Sequence, residues 1–276
     1  MIFFPDIDPV ALRIGPLSIY WYGLSYLIGI AIAWKYLSVK GKRLGSVWDG
    51  EKVSDVIFYA ALGGIVGGRL GYILFYNAAS YLDAPLSIFS IWEGGMSFHG
   101  GVLGVTAALF WLSRKWGKTF LSLTDFIVPA LPICLGLGRV ANFVNQELWG
   151  AQTSLPWGVV FTNPAAGFIA RHPTQLYEAL LEGLVLFYLL YLLGRRARPL
   201  GVLSGWFLCL YGTFRCGVEF FRQPDAHIGY LAADWFTMGQ ALSVPMILVG
   251  LMLVLRNRVL QAIRFPWVIY WLRALA

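Results

Sequence analysis

The sequence predicts an all-α integral membrane protein with seven transmembrane helices and a small external head region. Three observations support this fold class. Hydrophobic residues make up 58% of the 276 residues and charged residues only 13%, about half the share found in soluble proteins. The apolar residues form continuous runs of membrane-spanning length, and basic residues gather at alternate ends of these runs. This composition excludes a soluble globular domain and an intrinsically disordered chain.

Seven stretches contain the roughly 20 mostly apolar residues that a membrane helix requires. They cover about residues 17–38, 53–76, 97–113, 120–143, 174–193, 200–221 and 236–255. Because none of them alternates apolar and polar residues as a barrel strand does, we expect helices and no sheet.

Basic residues are concentrated in every second connection. Fifteen of the 21 fall in that set, namely Lys35, Lys40, Lys42, Arg43, Lys52, Arg114, Lys115, Lys118, Arg195, Arg196, Arg198, Arg256, Arg258, Arg264 and Arg273. The opposite connections hold only Arg13, Arg171 and Arg222. The positive-inside rule then places the N-terminus outside and the C-terminus in the cytoplasm, which requires an odd number of spans. The net charge of +7 therefore reflects topology, and nucleic acid is not an expected partner.

Residues 1–276 are predicted to form one membrane domain with short extramembrane parts. The outer side carries an N-terminal arm at 1–16, a loop at 77–95 and a head insert at 145–173. A tail at 256–276 mixes arginines with aromatic residues, a composition typical of a segment lying on the inner membrane surface. The N-terminus lacks the basic region of a cleavable signal peptide.

The three cysteines, Cys134, Cys209 and Cys216, lie in apolar runs. They form no CxxC pair and have no histidine at metal spacing, so we expect small buried hydrophobic residues rather than disulfides or ligands.

Eight ionisable residues fall inside the predicted spans. Each costs a few kcal/mol on insertion scales, so such residues indicate function by default. They are Arg69, His99, Asp125, Arg139, Glu178, Glu182, Arg215 and Glu219.

Two dense polar segments surround His99 and Arg139. His99 lies between Gly94-Gly95 and Gly100-Gly101, and glycines allow close approach to the backbone; a satisfied interfacial histidine is the alternative. Arg139 and Asn142 are three residues apart and share a helix face, with Glu147 nearby. A guanidinium is suited to binding phosphate through two hydrogen bonds, although an Arg–Glu pair that joins helices would give the same pattern.

Two further segments lie later in the chain. In the segment from His172 to Glu178, Thr174 is a candidate N-cap, and a helix start with interhelical hydrogen bonds is as good an interpretation as a direct site role. The second segment places its polar residues on one face of the sixth helix, at Tyr211, Arg215, Glu219 and Arg222. Together the segments predict an outward-facing polar cavity with arginines near headgroup depth, which suits an anionic lipid.

The four segments, taken in order, resemble the phosphatidylglycerol–prolipoprotein diacylglyceryl transferases of bacteria. The resemblance covers nearly the whole chain, from Tyr20-Trp21-Tyr22-Gly23 through Gly67–Tyr72 and the segments above to Met238-Gly239-Gln240. It implies transfer of the diacylglyceryl group of phosphatidylglycerol to the lipobox cysteine of a preprolipoprotein, with formation of a thioether and release of glycerol phosphate. It also implies a multi-pass protein of the bacterial inner membrane that uses no metal or cofactor. Its site would face the periplasm, its partners would be phosphatidylglycerol, the preprolipoprotein signal peptide and membrane lipids, and we expect a monomer.

The resemblance also implies roles for individual residues. Arg139 and Arg215 match the family's essential arginines and are expected to bind the phosphate, whereas His99 is the candidate base for the thiol. Family positions that line the site are matched by Tyr22, Asn142, Glu147, Gly150, Tyr211 and Glu219. The predicted substrate-binding set also includes Gln175 and Arg222, which lie in the polar segments, and Arg69, which lies in the Gly67–Tyr72 segment.

Two other functions stay open at this point. A lipid transporter or flippase could use the same arginine-lined cavity, and the sequence shows neither the inverted repeats nor the half-helices typical of that class. A non-catalytic membrane scaffold could use the arginine–glutamate pairs only to join helices.

Overall fold

The computed structural model describes residues 1–5, 7–15, 17–76, 78, 81, 85–89, 94–224, 229–232 and 235–263. These residues are mostly helical and divide into two compact units. The first unit contains residues 1–33 and 127–276, and the second contains residues 34–126. The helices are α1 (Trp21–Arg43), α2 (Gly50–Tyr76), α3 (Phe98–Lys115), α4 (Phe120–Ile127), α5 (Leu131–Val144), α6 (Thr174–Glu178), α7 (Leu186–Gly194), α8 (Val202–Glu219) and α9 (Met238–Ile263).

A helix lies in each of the seven stretches that the sequence predicts. Among the described residues, four helical segments are long and apolar enough to cross a membrane: Trp21–Arg43, Gly50–Phe75, Thr174–Gly194 and Met238–Arg256. The pair of α4 and α5 gives a fifth if it counts as one broken span. The predicted class of a mainly helical membrane protein is confirmed, with four to five candidate spans.

The predicted span at 120–143 is wrong as a single helix. The chain leaves helical geometry between Ile127 and Leu131. Pro129 lies in this break, and Pro132 lies in the first turn of α5. Because proline lacks an amide hydrogen and its ring clashes with the preceding turn, two prolines this close separate the stretch into two helices.

The span Thr174–Gly194 contains a π-helical turn at Ala179–Val185, which joins α6 to α7. No residue pattern in this segment predicts the turn. Such turns are rare and often occur at functional sites. Here the widened turn carries Glu182, one of the ionisable residues inside the predicted spans.

Short strands occur among the described residues, so the expectation of no sheet is wrong. They are β1 (Ile2–Phe3), β2 (Val10–Ile14), β3 (Leu17–Tyr20), β4 (Val159–Val160) and β5 (Ala170–Arg171). β1 pairs in parallel with β4, β4 pairs antiparallel with β5, and β2 and β3 form a hairpin. The strands lie outside the long apolar helices, where the backbone satisfies its hydrogen bonds by pairing. Because β3 precedes α1, that helix starts at Trp21 instead of residue 17.

The three-stranded sheet joins the predicted N-terminal arm to the predicted head insert. A small core of Phe4, Val159, Phe161 and Ala166 underlies this pairing, and Phe143 and Trp149 pack against it. The two parts, which are separated by more than a hundred residues, therefore form one head structure.

Two predicted segments fall largely outside the described residues. In the loop at 77–95, only 78, 81, 85–89, 94 and 95 are described, so Asp83 and Glu93 are not. In the tail at 256–276, the described part ends at Ile263 as a continuation of α9, and residues 264–276 are not described.

Glycines set the packing in each unit. In the second unit, α2 meets α3 along Gly63, Gly67 and Gly71, and a Cβ on Gly71 would lie 2.7 Å from the Cα of Gly100. The glycine beside His99 thus serves helix packing, as small residues do at membrane helix interfaces. In the first unit, Gly205 and Gly212 bring α8 against α9.

All three cysteines are free thiols. Cys209 is buried at the contact between α8 and α9, and its Sγ lies 3.6 Å from the carbonyl oxygen of Ile247. Cys134 and Cys216 are only half-buried, so the predicted burial holds in full for Cys209 but not for the other two.

Candidate functional site

Six charged side chains meet in the first unit, and we call them the arginine–glutamate cluster. Its members are Arg139 on α5, Glu178 at the end of α6, Glu182 in the π-helical turn, Arg215 and Glu219 on α8, and Arg222 just after α8. The formal charges of three arginines and three glutamates balance within this group.

Glu178 is the shared partner of the three arginines. Its Oε2 lies 3.1 Å from Arg139 Nε, and its Oε1 contacts Arg215 Nη1 and lies 3.4 Å from Arg222 Nη1. The contacts of Oε1 with Arg215 and Arg222 are charge-assisted hydrogen bonds. The contact of Oε2 with Arg139 is an ion pair, and this oxygen has no hydrogen-bond partner among the described residues. One carboxylate therefore holds three cations from two helices and one connection in place.

Glu182 lies between two of these arginines without a close hydrogen bond. Its Oε2 is 3.7 Å from Arg139 Nη2, and its Oε1 is 3.8 Å from Arg215 Nη1. Neither oxygen has a hydrogen-bond partner among the described residues, and the side chain is fully buried. Glu182 therefore contributes charge to the cluster but does not fix the orientation of a guanidinium.

Glu219 holds the C-terminal end of α8. Its Oε1 lies 2.6 Å from Arg215 Nη2 and 3.9 Å from Arg222 Nε. Its Oε2 accepts a hydrogen bond of 2.7 Å from Thr237 Oγ1. The predicted face of the sixth helix thus forms, although α8 ends at Glu219 and Arg222 lies beyond it.

The arginine side chains of the cluster are more exposed than its glutamate side chains. The side chains of Arg139, Arg215 and Arg222 are 19%, 14% and 10% exposed. Those of Glu178, Glu182 and Glu219 are only 1%, 0% and 4% exposed. A guanidinium has five N–H donors, so an arginine paired on one side keeps donors for a second anion. The carboxylates lie beneath the arginines, which offer the accessible part of the cluster.

A close helix crossing brings Arg139 to its partners. A Cβ on Gly183 would lie 2.7 Å from the Cα of Gly136, so only glycines permit this approach of α5 to the π-helical turn. Arg139 lies one turn after Gly136 and Glu182 one residue before Gly183. The crossing therefore sets the distance from Arg139 to the carboxylates of Glu178 and Glu182.

A second polar group follows α5. Asn142 Nδ2 donates to Glu147 Oε1 at 2.7 Å, and Gln175 Nε2 donates to the carbonyl oxygen of Glu147 at 2.6 Å. The residues on either side of Glu147, Gln146 and Leu148, both have positive φ, at 51° and 58°. Backbone strain of this kind persists where the surroundings require it and often marks functional sites.

Gly150 lies where three chain segments meet. A Cβ there would lie 2.5 Å from the carbonyl oxygen of Phe221 and 2.7 Å from both His172 Cβ and Thr174 Cγ2. Its N–H donates to the carbonyl oxygen of His172 at 2.9 Å, and it pairs with Arg222 as an isolated antiparallel bridge. Any larger residue would displace the segment that carries Arg222.

Two tyrosines from the predicted site also lie in this unit. The Tyr22 hydroxyl is 3.4 Å from that of Tyr26, and it interacts electrostatically with Glu147 and Arg139. Tyr211 interacts electrostatically with Glu182 and Arg215. The structure thus brings Tyr22, Asn142, Glu147, Gln175 and Tyr211 into one neighbourhood with the arginine–glutamate cluster.

His172 lies just before the span Thr174–Gly194 and packs against Gly150. Its Nδ1 lies 3.1 Å from the hydroxyl of Tyr177, which accepts a hydrogen bond of 2.8 Å from Trp157 Nε1. Burial lowers the pKa of His172 below its ordinary value, which favours the neutral imidazole.

Arg69 and His99 belong to the second unit. The guanidinium of Arg69 is buried and donates to the backbone carbonyl oxygens of Ser87, Ile88, Gly94 and Gly95. His99 is exposed in the first turn of α3, two residues after the N-cap Ser97. Arg69 therefore orders the described parts of the predicted outer loop, and His99 presents its imidazole to the surroundings.

Several site residues are absent from the predicted set. Glu178 and Glu182 were recognised as ionisable residues inside a span but not as members of the site, and Thr237 and Gln240 carried no signal beyond the Met238-Gly239-Gln240 segment. Two carboxylates one turn apart in a membrane helix were the available clue, because such charges need partners. No group of three metal-ligating side chains occurs among the described residues.

Comparisons with known proteins identify the family of the chain. A family model described as "Prolipoprotein diacylglyceryl transferase" matches residues 9–256. A protein from Pseudomonas aeruginosa (strain LESB58), named "Phosphatidylglycerol--prolipoprotein diacylglyceryl transferase", is 54% identical over 92% of this chain and 95% of its own length. Proteins of the same name from Pseudomonas fluorescens and Pseudomonas syringae are 54% and 52% identical over 92% of this chain and 95% and 94% of their own lengths. The chain therefore belongs to the prolipoprotein diacylglyceryl transferase family.

Proposed function

We propose that the arginine–glutamate cluster binds the phosphate of phosphatidylglycerol while the protein transfers the diacylglyceryl group to the lipobox cysteine of a preprolipoprotein. The observation that carries this proposal is the arrangement of the cluster, in which the carboxylates are buried and the arginines are partly exposed. Buried carboxylates hold three guanidiniums, and the guanidiniums keep their remaining exposed surface for a ligand. An anionic lipid headgroup is the ligand class that such arginines recognise in a membrane.

The reaction forms one bond and breaks one. The cysteine sulfur attacks the carbon of the diacylglycerol moiety that bears the phosphate. A C–S bond forms, and the C–O bond between that carbon and the phosphate breaks. The electron pair of the broken bond stays on the phosphate oxygen, so negative charge grows on the departing glycerol phosphate. Arg139 and Arg215, held in fixed orientation by Glu178 and Glu219, would stabilise that charge without reorganising.

Asn142, Glu147, Gly150, Gln175, Tyr22 and Tyr211 are proposed to shape the lipid headgroup site beside the cluster. The Asn142–Glu147–Gln175 contacts fix the chain after α5, and Gly150 keeps room for the segment that carries Arg222. Arg69, bonded to four loop carbonyl oxygens, is proposed to act by ordering the described parts of the predicted outer loop.

His99 is proposed to take the thiol proton, because the thiolate is the effective nucleophile. An imidazole that accepts this proton must be neutral. With lipid and peptide saturating, His99→Gln should lower kcat and change the shape of the pH profile of transfer. A pH profile that keeps its shape in His99→Gln would exclude His99 as the base.

The topology that accompanies this function has seven spans, with the N-terminus outside and the C-terminus in the cytoplasm. In support, helices lie in all seven predicted stretches, and the basic connections alternate strictly. The cluster would then face the periplasmic side of the bacterial inner membrane, where phosphatidylglycerol and the signal peptide of the preprolipoprotein meet. A monomer suffices, because one chain supplies all three arginines.

Purified protein with labelled phosphatidylglycerol and a lipobox peptide provides the test. We expect a peptide thioether and glycerol phosphate in equal amounts, and a peptide with serine in place of the cysteine should yield neither. The broken pair of α4 and α5 is a feature also found in transporters, so the products must be measured. Lipid movement between leaflets without glycerol phosphate release would indicate a transporter instead, and intact lipid and peptide would indicate a scaffold.

A further inference from the structure

The arginine–glutamate cluster is tied to the first turn of α9 through Glu219. Glu219 Oε2 accepts a hydrogen bond of 2.7 Å from Thr237 Oγ1, while its Oε1 lies 2.6 Å from Arg215 Nη2. Thr237 and Glu219 are both buried. One carboxylate therefore connects the Thr237 hydroxyl to the guanidinium of Arg215.

The hydroxyl of Thr237 is itself fixed by a capping box at the start of α9. The N–H of Thr237 donates to Gln240 Oε1 at 3.0 Å, and the N–H of Gln240 donates to Thr237 Oγ1 at 3.3 Å. This is the reciprocal arrangement that satisfies the free amides of a helix start. Because Oγ1 accepts from Gln240, the hydroxyl hydrogen stays available for Glu219.

Gly239 allows this connection. A Cβ at that position would lie 2.5 Å from both Cδ and Oε1 of Glu219, so a larger residue would displace the carboxylate. The glycine lets the first turn of α9 lie directly against the carboxylate. The segment Met238-Gly239-Gln240, which the family resemblance identified without a role, therefore packs on the partner of Arg215.

We infer that Thr237 is a positioning residue: through Glu219, its hydroxyl holds Arg215 in the orientation that binds the lipid phosphate. The inference rests on the function proposed above and adds the start of α9 to the phosphate-binding machinery. Without the hydroxyl, Glu219 Oε2 is left buried without its donor. The carboxylate then turns towards Arg222 Nε, now 3.9 Å from Oε1, and releases Arg215 from its present orientation.

The test compares Thr237→Val, which keeps the shape and removes the hydroxyl, with Thr237→Ser, which keeps the hydroxyl. Thr119→Val is the matched control, because Thr119 Oγ1 also accepts an amide hydrogen at a helix start, from Ser122 at 3.2 Å, in the second unit. For Thr237→Val we expect KM for phosphatidylglycerol to rise roughly tenfold, because one buried hydrogen bond to a charged group is lost. KM for the lipobox peptide should not change. Thr237→Ser and Thr119→Val should stay within about twofold of wild type.

A double-mutant cycle separates positioning from general destabilisation. If Thr237 acts through Glu219, Thr237→Val should add little in a Glu219→Gln background, whereas Thr119→Val should have the same small effect in both backgrounds. Independent effects of Thr237→Val and Glu219→Gln, or an unchanged KM for phosphatidylglycerol in Thr237→Val, would overturn the inference. A wild-type protein that transfers no diacylglyceryl group would overturn the proposed function and this inference with it, which a failed variant alone cannot do.

Discussion

Replacing Arg215 with alanine is expected to lower kcat/KM for diacylglyceryl transfer by about 10²-fold or more, the effect of removing one fixed donor from a developing anion. Arg215 contacts Glu178 and Glu219 at once and is partly exposed, so it combines a fixed orientation with access to a ligand. Arg215→Lys should recover only part of the loss, because an ammonium cannot reproduce the planar fork of the guanidinium. Transfer of labelled phosphatidylglycerol to a lipobox peptide measures the effect.

Arg195→Ala is the matched control for this prediction. Arg195 is exposed after α7 and belongs to the basic connections that set topology. Its removal should leave kcat/KM within about twofold, since exposed charges far from a site contribute little. Folding must be compared by thermal melting in detergent, because Arg215→Ala removes one of the guanidiniums that pair with the buried carboxylates of Glu178 and Glu219. Full activity of a folded Arg215→Ala protein would remove Arg215 from the site.

Glu178→Gln is expected to destabilise the protein by about 3–5 kcal/mol and to abolish transfer, because it breaks a buried charge network from its centre. Three arginines share this carboxylate, and an amide in its place would turn N–H donors towards guanidinium donors. The measurement is the melting temperature in detergent together with transfer activity. The loss of stability should accompany the loss of activity.

Glu182→Gln is the matched comparison, one turn further along the same segment. Glu182 is as buried as Glu178, yet its nearest guanidinium nitrogens are 3.7 and 3.8 Å away and neither oxygen has a hydrogen-bond partner in the described part of the chain. Neutralising a buried charge with these longer contacts should therefore cost clearly less stability than Glu178→Gln does. Equal destabilisation by Glu178→Gln and Glu182→Gln would contradict the central role of Glu178.

The sequence predicted the membrane class and the helix positions because both depend on local composition. Continuous apolar runs indicated helices in all seven places, and charges inside them indicated Arg139, Arg215 and Glu219. The break at Pro129 could have been read from the sequence, since a proline interrupts a helix wherever it occurs. The π-helical turn at Ala179–Val185 could not, because its residues show no sequence pattern that distinguishes a π-helical turn from an α-helix.

The partners within the site were less predictable than its members. That Glu178 would hold three arginines, or that Thr237 would reach Glu219, depends on contacts between residues far apart in sequence. The pairing of β1 with β4 is another example, because it joins residues at the N-terminus to the insert after α5. Arg69 looked like a ligand-binding charge, and only the structure shows its bonds to loop carbonyl oxygens.

The most direct test of phosphate binding by the cluster is the discrimination between phosphatidylglycerol and an analogue whose phosphate carries a neutral methyl group in place of one charged oxygen. The ratio of kcat/KM for the two lipids is independent of the fraction of folded enzyme. We expect wild type to prefer the charged lipid by about 10²-fold or more, and Arg215→Gln and Arg139→Gln to lose most of that preference. The same preference in wild type and in both variants would contradict the assignment of these arginines to the phosphate.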